Sequence, residues 1–157
     1  MLLAVAVVLG ALLALLLYKK RSRGTAEVAR ETTPALDRFL HEALEDELAE
    51  GVLGVRGSTP EERRKLTRTL EGEPDVEVVG RIEELVRNVE LEFVRYAHDA
   101  DVEATVRVRY EDGKVGTATK RLALGDVPEG VRADFASKGG TRVFRSWAFP
   151  WQRVRAL

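Results

Sequence analysis

The sequence predicts an α+β domain of about three helices packed on an antiparallel sheet of about four strands, carried behind an N-terminal transmembrane helix. Three observations predict this. Met1 to Leu17 is an unbroken apolar run, closed by Tyr18 and then by Lys19, Lys20, Arg21 and Arg23. Through the first half of the remainder, apolar residues recur at helical spacing. From about Val89 onward the period changes to two, the mark of half-buried strands.

The anchor comes first. Leu2 to Leu17 holds eight Leu, three Val, four Ala and one Gly. As a helix, Met1 to Tyr18 is about 27 Å long at about 1.5 Å per residue, enough for a thin bilayer core. Helix is forced there, because each unpaired backbone group in hydrocarbon costs several kcal/mol. A cleavable signal peptide would carry basic residues ahead of the run and a small-residue cleavage site behind it. Here no Lys or Arg precedes the run, and Tyr18-Lys19-Lys20 follows it. A globular helix buried in so small a protein would not be apolar on every face. The positive-inside rule then places residues 19–157 in the cytoplasm of a single-pass protein of the cell membrane. Ala6, Gly10 and Ala14 share one helix face and offer a homodimer contact through the bilayer.

Residues 19–32 read as a basic juxtamembrane linker and 33–157 as one soluble domain, long enough for a single core. The chain has no cysteine, which excludes disulfides, thiolate metal sites and cysteine nucleophiles. Asn88 and Gln152 are its only side-chain amides, and Arg outnumbers Lys nineteen to six. Scarce amides suit a hot environment, and a GC-rich genome imposes the same bias. The net charge of −1 conceals four positive charges at residues 19–23 and five, with no acid, at 138–157. The rest is acidic, so broad contact with nucleic acid is not expected.

Thr33 as N-cap and Pro34 at the first helical position open a helix. Its stripe is Leu36, Phe39, Leu40, Ala43, Leu44 and Leu48, with Gly51 as the expected stop. The acids Glu42, Glu45, Asp46 and Glu50 oppose the macrodipole near its end; a solvated face is the expected account of them, with a basic neighbour as the other reading. Thr59-Pro60-Glu61-Glu62 is a capping box that opens a second helix to about Glu71, with only Leu66 and Leu70 facing inward. Its Arg63, Arg64, Lys65 and Arg68 have no nearby aromatics, and pairing with the acidic first helix accounts for them. Val78, Val79, Ile82, Leu85, Val86 and Val89 mark a third helix over about 75–88, with a short strand at Val76–Val79 as the other reading.

Val89, Leu91 and Phe93 then alternate, and a phase shift after Phe93-Val94 suggests a bulge. Val102, Ala104, Val106, Val108 and Tyr110 alternate strictly with polar residues. Asp112-Gly113 reads as a two-residue hairpin loop that sets Tyr110 opposite Val115, Val108 opposite Thr117 and Val106 opposite Thr119. One sheet face is then apolar, and the other carries Arg107, Arg109 and Lys120. Val127-Pro128 begins a further short helix to about Ser137. A last strand runs from Thr141 to Phe149 and ends at Pro150.

No pattern of residues here builds a catalytic or cofactor site. His41 and Glu45 share a helix face, but two ligands are too few for a metal. His98-Asp99-Ala100-Asp101 has the composition of a turn. Phosphate-binding glycine loops, nucleophile elbows and His-Glu-x-x-His patterns are missing. The expectation is therefore no enzyme, no cofactor and no metal, with an enzyme using His98 and Asp101 around a pocket as the third reading.

Four of the ten aromatics, Phe144, Trp147, Phe149 and Trp151, fall in eight residues among Arg142, Arg145, Arg153 and Arg155. One reading has this strand close the core with its arginines solvated. The other has Trp151, Arg153 and Arg155 meet a partner protein or anionic headgroups, beside the membrane flank Lys19, Lys20, Arg21 and Arg23.

The order of elements, helices and then an antiparallel meander, also occurs in cone-shaped NTF2-like domains; with no matching motif this is an analogy of fold alone and assigns no family. A small-ligand-binding cone domain of that kind, tethered to the membrane, is the alternative to a cytoplasmic non-catalytic interaction or scaffold domain. The expected partners are the lipid bilayer and a protein.

Overall fold

The computed structural model describes residues 32–54, 59–96, 100–138 and 141–155, without the side chains of Lys138, Val154 and Arg155. The apolar run, its basic flank, Ala6, Gly10, Ala14 and His98 all lie outside those residues. No helix among the described residues is long and apolar enough to cross a membrane.

Helix α1 spans Pro34–Leu48 and starts as its sequence dictates: Thr33 Oγ1 accepts from the Leu36 amide at 3.3 Å. Leu36, Leu40, Leu44 and Leu48, four apart, are each no more than 2% exposed. Fully burying one such side chain contributes about 1.5–3 kcal/mol, so this stripe is the main reason α1 holds. Gly51 does not stop the helix. A π-helical turn, Ala49–Leu53, continues α1 and buries Val52 and Leu53, and the chain breaks at Gly54, whose φ is +78°. Glycine stands at 51 for a different reason: a Cβ there would overlap the Tyr110 phenol.

Helix α2, Pro60–Leu70, is capped by Thr59, whose hydroxyl accepts from the Glu62 amide at 3.2 Å. Arg63 of α2 pairs with Asp46 at 2.6 Å and Glu45 at 3.5 Å on α1, a basic neighbour for two of the acids there. With the Asp46 side chain 78% exposed, the pair contributes at most about 1 kcal/mol. Thr69 is buried; it donates to the Lys65 carbonyl and accepts from the Asp75 amide, tying α2 to the start of α3, Val76–Leu85.

The third helix is shorter than its apolar spacing suggests. At Val86 the backbone turns extended and β1, Val86–Arg95, begins. Val86 pairs with Tyr110 and Asn88 with Arg109, so Arg87 is bulged. The extra residue lets Val86 and Val89, three apart, both point inward, which imitates a helical repeat. The bulge therefore lies at Arg87 and not after Phe93.

Strands β2, Asp101–Tyr110, β3, Val115–Ala123, and β4, Arg142–Trp147, complete an antiparallel sheet of order β3-β2-β1-β4. The β2–β3 loop has three residues, Glu111-Asp112-Gly113, instead of two. Tyr110 N donates to Lys114 O at 2.9 Å, and Gly113 has φ +89°. The register shifts by one from the expected pairing: Val108 faces Gly116, Val106 faces Ala118 and Thr105 faces Thr119. Every β3 side chain changes side as a result. Gly116, Ala118 and Lys120 stand on the helix-covered side, although Lys120 is exposed, and the Thr105 and Thr119 hydroxyls meet at 3.0 Å on the other.

Helix α4, Glu129–Lys138, turns Val131 and Phe135 inward and is fixed to β4 by Asp134 and Arg145 at 2.5 Å. The last strand ends at Trp147, short of Phe149. Pro150 opens a helix, α5, Pro150–Arg155, with the Phe149 amide donating to Gln152 Oε1 at 3.1 Å. Proline at the first position and Gln at the third are helix-start residues. The result is an α+β domain with its helices packed on a four-stranded antiparallel sheet. It contains five α-helices among the described residues where about three were expected. On the uncovered side Glu92 is 6% exposed, between Arg107 and Arg142.

Two glycines give opposite expectations. Gly51→Ala should lower the unfolding free energy by about 2 kcal/mol through overpacking against Tyr110. Gly80→Ala, in α3 with open space at its Cβ, should raise it by up to about 1 kcal/mol. Denaturant titrations followed by circular dichroism check both signs.

Candidate functional site

Where α1 runs into the π turn, it faces the β2–β3 hairpin across a groove of about 580 Å³, half open to solvent. Glu47, Glu50 and Gly51 form the helical wall, and Tyr110, Asp112 and Val115 part of the hairpin wall. Leu85, the last residue of α3, lies at one end; its carbonyl accepts from the Glu111 amide at 2.9 Å and pins the hairpin there.

Tyr110 and Glu47 hold the walls together. Tyr110 ends the apolar alternation of β2, so its ring is buried while its hydroxyl reaches α1. That hydroxyl donates to Glu47 Oε1 at 2.9 Å and lies 3.3 Å from the Glu47 carbonyl oxygen. Both groups occupy space that glycines leave open. A Cβ on Gly51 would overlap the phenol, and one on Gly116 would overlap the Glu47 carboxylate. Burial first, then the hydrogen bond to Glu47 and its charge, push the Tyr110 phenol well above the ordinary tyrosine range.

The groove is acidic. Lys114 lies 3.5 Å from Asp112 and offsets that charge. Glu47 and Glu50 have no cationic partner among the described residues. Leu85 is 38% exposed, one of the few large apolar side chains left in water among the described residues, whereas Val115 pairs with Arg109 and turns its side chain to the other sheet face. Unpaired carboxylates and uncovered apolar surface thus share one wall-to-wall space.

The residues singled out in the sequence lie elsewhere. Trp151 is 8% exposed and stacks on Phe149 at 4.7 Å, which in turn meets Trp147 edge-on at 5.0 Å. It packs inward at the start of α5, which Pro150 opens. Its indole nitrogen has no hydrogen-bond partner among the described residues. Arg153 lies over the Trp147 ring at 5.1 Å and donates to the Ala148 carbonyl. Burial lowers its pKa, and the Asp37 carboxylate opposes that shift. The Arg155 side chain is outside the description, as are Lys19, Lys20, Arg21 and Arg23. Asp37 is in the first turn of α1, so this aromatic corner lies near one end of that helix and the groove at the other. His41 is exposed, its Nδ1 3.0 Å from the Asp37 carbonyl. No group of three or more potential metal ligands occurs among the described residues.

Sequence reasoning passed over Glu47, Gly51, Tyr110 and Gly116 as a set. One signal was available: a tyrosine as the last inward residue of a strand needs a partner for its hydroxyl. No protein-family model, curated protein or solved structure matches the chain.

The raised phenol has a consequence for stability. Its folded-state pKa lies above the unfolded value near about 10, so Tyr110 contributes fully below that pH. The contribution is lost as the pH climbs toward the folded-state value. Ultraviolet titration should show one of the three tyrosines ionising late, and Tyr110→Phe should remove that late step and flatten the alkaline loss of stability.

Proposed function

We propose that the chain is a single-pass membrane protein whose domain at 33–157, on the cytoplasmic side, is a non-catalytic interaction domain that takes part of a protein partner into the Glu47–Tyr110 groove. The observation that carries this reading is the groove itself. Its walls are fixed by the Tyr110–Glu47 contact, yet it leaves Leu85 exposed and two carboxylates without a cation among the described residues. Exposed apolar surface rimmed by polar groups marks an interaction site.

The anchor rests on the apolar run and its basic flank, and homodimerisation through Ala6, Gly10 and Ala14 would display two such domains together. Contact of Trp151, Arg153 and Arg155 with lipid or a partner is the weaker part of the proposal, since Trp151 is packed against Phe149. The alternative, a tethered small-ligand-binding domain of the cone-shaped NTF2-like kind, draws on the same groove. Its volume of about 580 Å³ is in the range of ligand pockets, whereas such pockets enclose most of their ligand and this groove is half open.

A photo-crosslinking residue placed at Leu85 in intact cells should give a discrete protein adduct, while one at Phe144, on the uncovered sheet side, should not. Adducts at Phe144 alone would reject the groove. In the same cells, protease added outside should leave the domain uncut.

A further inference from the structure

Resting on the reading of the groove as the recognition surface, we infer that its occupant is a basic segment of a partner protein, an Arg or Lys side chain lying between Glu47 and Glu50 with its stem on Leu85. Four features of the groove select that chemistry.

The first is charge. Glu47 and Glu50 lie one turn apart on the same wall, and neither has a cation among the described residues. Nearby acids have theirs: Glu45 and Asp46 share Arg63, and Asp112 has Lys114. The second is apolar surface in the same space. Leu85 lines the groove and is exposed, so an occupant that is only charged would leave it wet. An arginine or lysine joins three or four methylenes to a cationic head and satisfies both walls at once.

Preorganisation is the third. Tyr110 fixes Glu47 Oε1 by a 2.9 Å hydrogen bond, and Gly116 gives the carboxylate its place over the hairpin. A guanidinium therefore meets a carboxylate that is already oriented. The fourth is shape: a groove half open to solvent admits a side chain from an extended segment, whose backbone can continue along the surface.

The test uses the full chain in phosphatidylcholine nanodiscs and two fluorescent peptides, one of alternating Arg and Leu, the other of alternating Glu and Leu. Empty nanodiscs correct for lipid binding. By fluorescence anisotropy the Arg–Leu peptide should bind at least about tenfold more tightly than the Glu–Leu peptide. The double variant Glu47→Gln/Glu50→Gln should lose about tenfold, since each exposed ion pair contributes up to about fivefold. The same loss should follow in about 1 M salt, where the screening length falls to about 3 Å. The amide oxygen introduced by Glu47→Gln can still accept from Tyr110, and Glu50 makes no side-chain hydrogen bond or ion pair among the described residues, so either variant reports on charge. Leu85→Ser should weaken binding as well. Binding that depends on Leu85 but not on the two carboxylates overturns the basic occupant and leaves the groove reading intact. Binding indifferent to all three residues overturns both.

Discussion

The domain's working geometry depends on one register, that of β3 against β2. The three-residue loop Glu111-Asp112-Gly113 sets it, with Gly113 at φ +89°. Because of that register Gly116 lies beneath Glu47, so the end of α1 can settle close to the sheet. A two-residue loop would turn Thr117 and Thr119 toward the leucine stripe and bury hydroxyls where Gly116 and Ala118 now sit. The same loop keeps Tyr110 in line with Gly51, and its backbone is tied to Leu85. Both walls of the groove are therefore positioned by the same few hydrogen bonds.

Charge along α1 follows from how the helix ends. Acids in a last turn are unfavourable, but here the helical path continues for five more residues as the π turn. The negative end of the dipole is carried past Glu45 and Asp46, and Arg63 supplies a counter-charge from α2. Glu47 is stabilised in another way, by the Tyr110 hydroxyl. Of these four acids Glu50 alone has neither kind of support among the described residues, and it stands at the groove's edge.

Local signals were legible in the sequence and non-local ones were not. Thr33-Pro34 and Thr59-Pro60-Glu61-Glu62 act within a single turn, so their helices start where the residues say. The alternation of β2 reports one buried face and is reproduced residue for residue. Gly51 misled because a glycine serves both as a helix stop and as room for a distant phenol, and only the fold distinguishes the two. Val86 and Val89 misled because a bulge produces the same three-residue spacing as a helix. Pro150 ends strands and starts helices equally well, and its role there turned on Gln152 two residues later. The groove was the least legible feature. It joins residues 47–51, 85 and 110–116, and no window along the chain contains them together.

The aromatic corner has a practical bearing. Trp147 and Trp151 are the chain's only tryptophans, and both flank Phe149 in a single stack. Intrinsic fluorescence of this protein is therefore a local gauge: it registers how α5 seats on the domain, and is dark to events at the far end of α1.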